Sequence, residues 1–205
     1  MAVLFVADEL LQMARKACER SRAYPPEAIA AIVLSVIGFE AFLNEMVELS
    51  SGPPHPSDEP EEVKAFGAIL EDMEQQKAPI NVKVQVAYYI FKRQRLDKGG
   101  LPYQDFDLLI RIRNALVHKQ PEKWSMVAEG EAFEPHRLVK RLVDRNVIPP
   151  PAPETPPGLF FPICCQEVAE WAYNVVVEMT SYLTEVVPPS KLKESLSISR
   201  SLRPV

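Results

Sequence analysis

The chain has 205 residues, 47% hydrophobic and 25% charged, which is the size and composition of one globular domain, with or without appendages. A net charge of −5 removes whole-domain attraction to nucleic acid and disfavours DNA binding as the main role, although a local basic site remains open. Three cysteines without a spaced framework argue for reduced thiols, and three histidines without ligand spacing argue against a metal enzyme; no cofactor or metal is expected.

The predicted elements are helices separated by stiff connectors, because glycines number only seven and the twenty prolines fall mostly between apolar segments. The first helix is expected over about Val3 to Arg22, with Leu4, Leu10, Leu11, Met13, Ala14 and Ala17 as its apolar positions. Pro25-Pro26 opens a second helix, from about Glu27 to Leu49, that is apolar almost all round and therefore central. A Pro-rich loop from Ser50 to Ser57 follows. Asp58-Glu59-Pro60 then reads as the cap and first turn of an amphipathic third helix ending near Gln76. Ala78-Pro79 restarts the chain for a fourth helix over about Ile80 to Arg93, where Val84, Val86 and Tyr88 also alternate in strand fashion.

After the turn at Lys98-Gly99-Gly100, a fifth helix is expected from about Gln104 to Lys119. A basic helix follows at about Pro135 to Asn146, where Arg137, Lys140, Arg141 and Arg145 read as a solvated face rather than an RNA track. The stretch from Ile148 to Pro162 is too rich in proline for regular structure, with Leu159-Phe160-Phe161 expected to pin it to the body. Cys164-Cys165 reads as small apolar filler at the start of a last helix, about Pro162 to Val187, that buries Val168, Trp171, Val175, Met179 and Leu183. Residues 1–188 are thus expected to form a single domain, with a motif-bearing core over 25–120 and a packing helix over 162–187. Residues 189–205 read as a disordered, Ser-rich tail. The fold class is all-α, an up-and-down bundle of six or seven helices. The opening run Met1 to Ala7 is too short for a signal sequence and no apolar stretch approaches the length of a membrane span, so a cytoplasmic protein without membrane contact is expected.

The chemistry concentrates in Leu108-Leu109-Ile110-Arg111-Ile112-Arg113-Asn114-Ala115-Leu116-Val117-His118. Burying a guanidinium and an imidazole costs several kcal/mol unless they are paired, so these side chains should line a crevice or a subunit interface. Asn114 and His118 lie four apart and share a face, whereas Arg113 and His118 lie about 140° apart at 3.6 residues per turn; arginine's length lets it reach that face, so the three are expected to border one concavity. Arginine matches phosphate geometry and histidine exchanges protons near neutrality, which together suffice to split a phosphodiester without metal.

Arg113-Asn114-Ala115-Leu116-Val117-His118 resembles the motif of the HEPN superfamily, an Arg, a polar residue and then a His after four intervening positions, on a late helix of an α bundle. The run from Ser35 to Glu45, with Glu40 and Asn44, is similar to that family's long helix, and Asp105 and Asp107 fit its aspartate-containing lead-in. The likeness extends from about Ala28 to Gln120. It implies a homodimer whose motif helices meet at a two-fold axis, often acting as a metal-independent endoribonuclease. Cleavage by a ribose 2′-hydroxyl needs both a base and an acid, and a dyad would bring a second His118 and Arg113 into the same cleft. On that reading Arg113, His118 and Asn114 are catalytic, Lys119, Arg111, Glu40 and Asn44 assist substrate binding, RNA is the substrate, and the protein is a toxin or defence component with an antitoxin partner.

Two other readings stay open. The same dimer can hold a nucleotide, RNA or a regulatory protein without catalysis. In a purely structural reading, Arg113 pairs with Asp107, Glu40 or Glu45, His118 finishes its helix, and Glu40 and Asn44 satisfy each other and the motif residues across the core.

Overall fold

Proline and acidic residues set where the helices begin. In the computed structural model, which describes residues 6–51, 59–118, 135–152, 155, 158–198 and 203–205, nine helices and no strand occur among the described residues. They are α1 (Val6–Ser21), α2 (Glu27–Ser51), α3 (Glu61–Gln75), α4 (Ile80–Lys92), α5 (Tyr103–Val117), α6 (Arg137–Asp144), α7 (Phe160–Ile163), α8 (Gln166–Val186) and α9 (Lys191–Ile198). Pro60, Pro79 and Pro102 occupy the positions just before α3, α4 and α5, where a missing backbone N–H costs nothing. The chain is therefore an all-α bundle, and the strand-like alternation at Val84, Val86 and Tyr88 is helical within α4.

Helix α2 is the hub, packing on α1, α3, α5, α8 and α9. Its Phe39, Phe42, Leu43 and Met46 are fully buried, while Ile37 remains partly exposed. By length and mean hydropathy α2 would be apolar enough to cross a membrane, contrary to the expectation that no stretch is. Its burial inside the bundle accounts for that composition equally well. Helix α1 approaches it most closely at Gly38, where an added Cβ would lie 2.7 Å from Leu11 Cδ2, so only glycine fits there without displacement. Glu45, also on α2, accepts the backbone N–H of Ala7 at 2.7 Å, giving one otherwise unpartnered donor of the first turn of α1 an acceptor. Of the positions assigned to the α1 core, Leu11, Ala14 and Ala17 are buried and Met13 is exposed; Leu4 lies outside the described residues.

Two further helices replace expected irregular chain. The sequence 191–198, read as disordered tail, is α9: Ser190 Oγ accepts the N–H of Lys193 at 3.1 Å, Glu59 accepts that of Lys191 at 3.1 Å, and Leu192 and Leu196 are buried. One core cluster thus runs from Ala7 to Leu196, past the boundary expected at 188. Within the Pro-rich connector, Phe160–Ile163 forms the single turn α7. Leu159 is buried as expected, but Phe160 and Phe161 are more exposed than that expectation requires, and their rings meet edge-on. The last long helix begins only at Gln166, because Cys165 adopts an extended backbone.

The three thiols are free. Burial, reinforced by Glu170, pushes the Cys18 thiol from its ordinary 9.0 up to about 12, and the same group donates to the carbonyl of Ala169 at 3.2 Å. Burial likewise raises Cys165 to about 11, and it raises Cys164 as well. A thiol that ionises in the unfolded chain near pH 9 but not in the folded one favours unfolding as pH climbs. Stability should therefore be insensitive to these groups below pH 9 and should fall above it, which urea titrations at pH 8 and pH 10 will read. Native protein at pH 8 should also react slowly with a thiol reagent, and urea-unfolded protein quickly.

Candidate functional site

Helix α5 carries the motif because its inner face is strongly apolar. Phe106, Leu108, Leu109 and Ile112 are buried, and the Phe106 ring lies 4.7 Å from that of Phe39 on α2. This contact fixes the rotation of α5 and turns positions 107, 111, 114 and 118 outward. Helices α4 and α5 both pack on α8, and between them runs a trough. Its first part, about 480 Å³, is bordered by Glu40, Pro79, Ile110, Arg111, Arg113 and Asn114 among others. A second part, about 430 Å³, shares Asn81, Asp107 and Arg111 with the first and continues to Tyr103, Lys98 and Arg141.

Arg113 is the anchored member of the motif. Its side chain is 17% exposed, its Nη2 donates to Glu40 Oε1, and its Nη1 donates to Asn114 Oδ1 at 3.1 Å. Its Nε is buried with no hydrogen-bond partner among the described residues, an unused donor on an otherwise satisfied guanidinium. Asn114 is exposed and lines the trough. Arg111 is exposed and bonded to Asp107 at 2.7 Å, one turn earlier on the same helix.

His118 caps the C-terminus of α5, its backbone N–H donating to Asn114 O at 2.9 Å, and its side chain is exposed. The residues bordering the trough include Arg113 and Asn114 but not His118. Among the described residues this trough therefore takes two of the three motif side chains, whereas arginine's length is expected to let all three border one concavity. Asn44 is likewise exposed on α2 and outside the trough; Glu40 satisfies a motif residue, Arg113, as the structural reading expects, rather than Asn44. Of the three acids considered for Arg113, Glu40 takes it, Asp107 takes Arg111, and Glu45 holds the start of α1. Lys119 lies outside the described residues.

Residues that the sequence did not single out complete the second part of the trough. Tyr103 Oη accepts a bond from Gln85 Nε2 at 2.6 Å, linking α5 to α4. Burial, with the Asp107 charge, raises the Tyr103 hydroxyl, so it stays protonated at neutral pH. Arg145 on α6 donates to Asp105 at 2.6 Å and to Gln104 at 3.2 Å, tying α6 to the first turn of α5. His136 starts α6 by accepting the N–H of Leu138. The alternation of basic and apolar residues in α6 was visible in sequence, but not that Arg141 faces α5.

Among the described residues no group of three His, Cys, Asp or Glu side chains is placed to hold a metal ion. Comparison with family models, with characterised proteins and with solved structures finds no match to this chain.

Proposed function

We propose that the chain is a metal-independent endoribonuclease of HEPN type that works as a homodimer, its α5 helices meeting at a two-fold axis. The observation that carries this reading is the combination at the end of α5: a fixed Arg113 at the lip of a trough, and an exposed His118 one turn beyond Asn114. An exposed imidazole with no packing role is available to a partner surface, and Val117, 54% exposed, provides apolar area beside it.

One His118 takes the proton of a ribose 2′-hydroxyl, whose oxygen attacks the adjacent phosphorus. The bond to the 5′-oxygen breaks, and the second His118 gives that oxygen its proton. Arg113 offsets the charge gathering on the phosphoryl oxygens, and Asn114 holds its guanidinium in place. The products are a 2′,3′-cyclic phosphate and a 5′-hydroxyl. Such an activity fits a toxin or defence component restrained by a protein antitoxin.

The test is incubation of the purified full chain with mixed RNAs in the presence of EDTA, followed by end-group analysis. Cleavage leaving cyclic phosphates supports the proposal. Cleavage abolished by the chelator, or ends carrying a 5′-phosphate, overturns it. The Glu40 bond favours a second reading, because a carboxylate that already neutralises Arg113 suits a binding module better than a catalyst. If so, no RNA is cut and Arg113→Ala loses nucleotide binding. Under the first reading Glu40→Gln keeps the fold and changes the cleavage rate.

A further inference from the structure

Helix α6 brings a third guanidinium against α5. Arg145 is matched by Asp105 and Arg111 by Asp107, so the two carboxylates on this side of α5 are taken. Arg141, half-buried between them, has no ion-pair partner among the described residues. In the part of the trough that it borders, the basic side chains Lys98, Arg111 and Arg141 face a single acid, Asp107. Arg141 is thus a half-buried cation beside other cations, with no ion-pair partner among the described residues; like charges repel more strongly where water screens poorly, and an arriving anion relieves that cost. Burial, then the charges of Arg145 and Arg111, lower the Arg141 pKa, while Asp107 and Asp105 act in the opposite sense.

The remaining walls suit an oxyanion as well. The Tyr103 oxygen already accepts from Gln85, so its own O–H is free to donate into the trough. Asn81 adds an amide between the two parts. An arginine fork, a lysine point charge and a hydroxyl donor around about 430 Å³ of open space match a phosphate group, not a carboxylic acid with an apolar body.

We infer that the trough between α4, α5 and α6 is a phosphate-binding site, with Arg141 as its primary cation and Arg111, Lys98 and the Tyr103 hydroxyl as its flanking donors. The phosphate comes either from an RNA strand extending along the trough from Arg113 or from a free nucleotide or inorganic phosphate. The strand source rests on the proposed ribonuclease reading; the site itself does not.

Two measurements on the full chain test this. The first follows thermal unfolding of wild type, Arg141→Gln, Arg141→Lys and the control Lys140→Gln, whose side chain is exposed on the same helix, with inorganic phosphate or pyrophosphate as probe. Wild type and Lys140→Gln should gain Tm with added anion, Arg141→Lys less, and Arg141→Gln least. Without anion Arg141→Gln should unfold no earlier than wild type, because it removes a repelled charge. Equal anion shifts in wild type and Arg141→Gln overturn the inference, as does an Arg141→Gln protein that is destabilised and yet still responds to anion. The second measurement is anisotropy of a labelled oligoribonucleotide across salt concentrations. If the strand is the source, Arg141→Gln should bind it about tenfold more weakly. It should also show a salt slope shallower by about 0.7, the share of one phosphate contact on a single strand. Phosphate binding lost in Arg141→Gln without any RNA binding by wild type keeps the site, assigns it to a free phosphate and removes the ribonuclease reading. RNA cut and bound equally by wild type and Arg141→Gln, with no anion response in either, removes the site and keeps that reading.

Discussion

His118→Ala is expected to reduce RNA cleavage by about 10²–10⁴-fold, the range attached to a positioned general acid or base, because a two-fold site loses both its base and its acid at once. Stability should barely move. The side chain is exposed at the end of α5, and the hydrogen bond that closes the helix there uses the backbone N–H of residue 118, which alanine retains. A surface change of this kind stays within about 0.5 kcal/mol. The pairing of a large activity loss with an unchanged urea midpoint is what separates catalysis from a structural helix end. An equal rate in the variant would leave the imidazole as a cap and no more. Wild-type cleavage should also show a bell-shaped dependence on pH, since one imidazole must be neutral while its mate is protonated.

Phe106→Ala is expected to produce the largest change in stability, about 3–5 kcal/mol, the usual cost of emptying a fully buried phenylalanine site. The ring is 0% exposed and lies against Phe39, which in turn meets Phe42 at 5.7 Å between centroids. This aromatic row joins α2 to α5, so the vacancy also loosens the register between Glu40 and Arg113. Urea unfolding gives the stability change, and Phe160→Ala is the control, because that ring is 37% exposed at the surface. A loss near 1 kcal/mol for Phe106→Ala would mean that α5 is not seated as described.

Most helix limits were legible because the punctuation is strong. Pro60, Pro79 and Pro102 mark three starts, and the expected ends of α3, α4 and α8 fall within one residue of those observed. The errors share a cause. Ser content and proline density were weighed above local spacing, so Ser190 as a cap and Leu192 with Leu196 four residues apart went unread, although both lie plainly in the sequence. The single turn at Phe160–Ile163 escaped for the same reason. In the site, periodicity paired Asn114 with His118, whereas the trough takes Asn114 together with Arg113. It could not say which acid would claim Arg113, since Glu40 is 73 residues away and the choice is made by packing between helices. Arg141 was seen only as one of several bases on a solvated helix face. That it has no counter-ion among the described residues is a tertiary fact, since Asp105 and Asp107 are taken by neighbours.

Asp107 borders both parts of the trough while holding Arg111. Neither compartment can be loaded without altering the potential in the other. A negative group that draws Arg111 toward α6 strips the carboxylate of its companion and leaves it bare toward the Arg113 side, where a second negative group is then less welcome. Two negative occupants of this surface would thus be coupled through one aspartate: the order in which they arrive changes the route but not the total, and neutralising Asp107 to Asn would remove that link while leaving their direct repulsion.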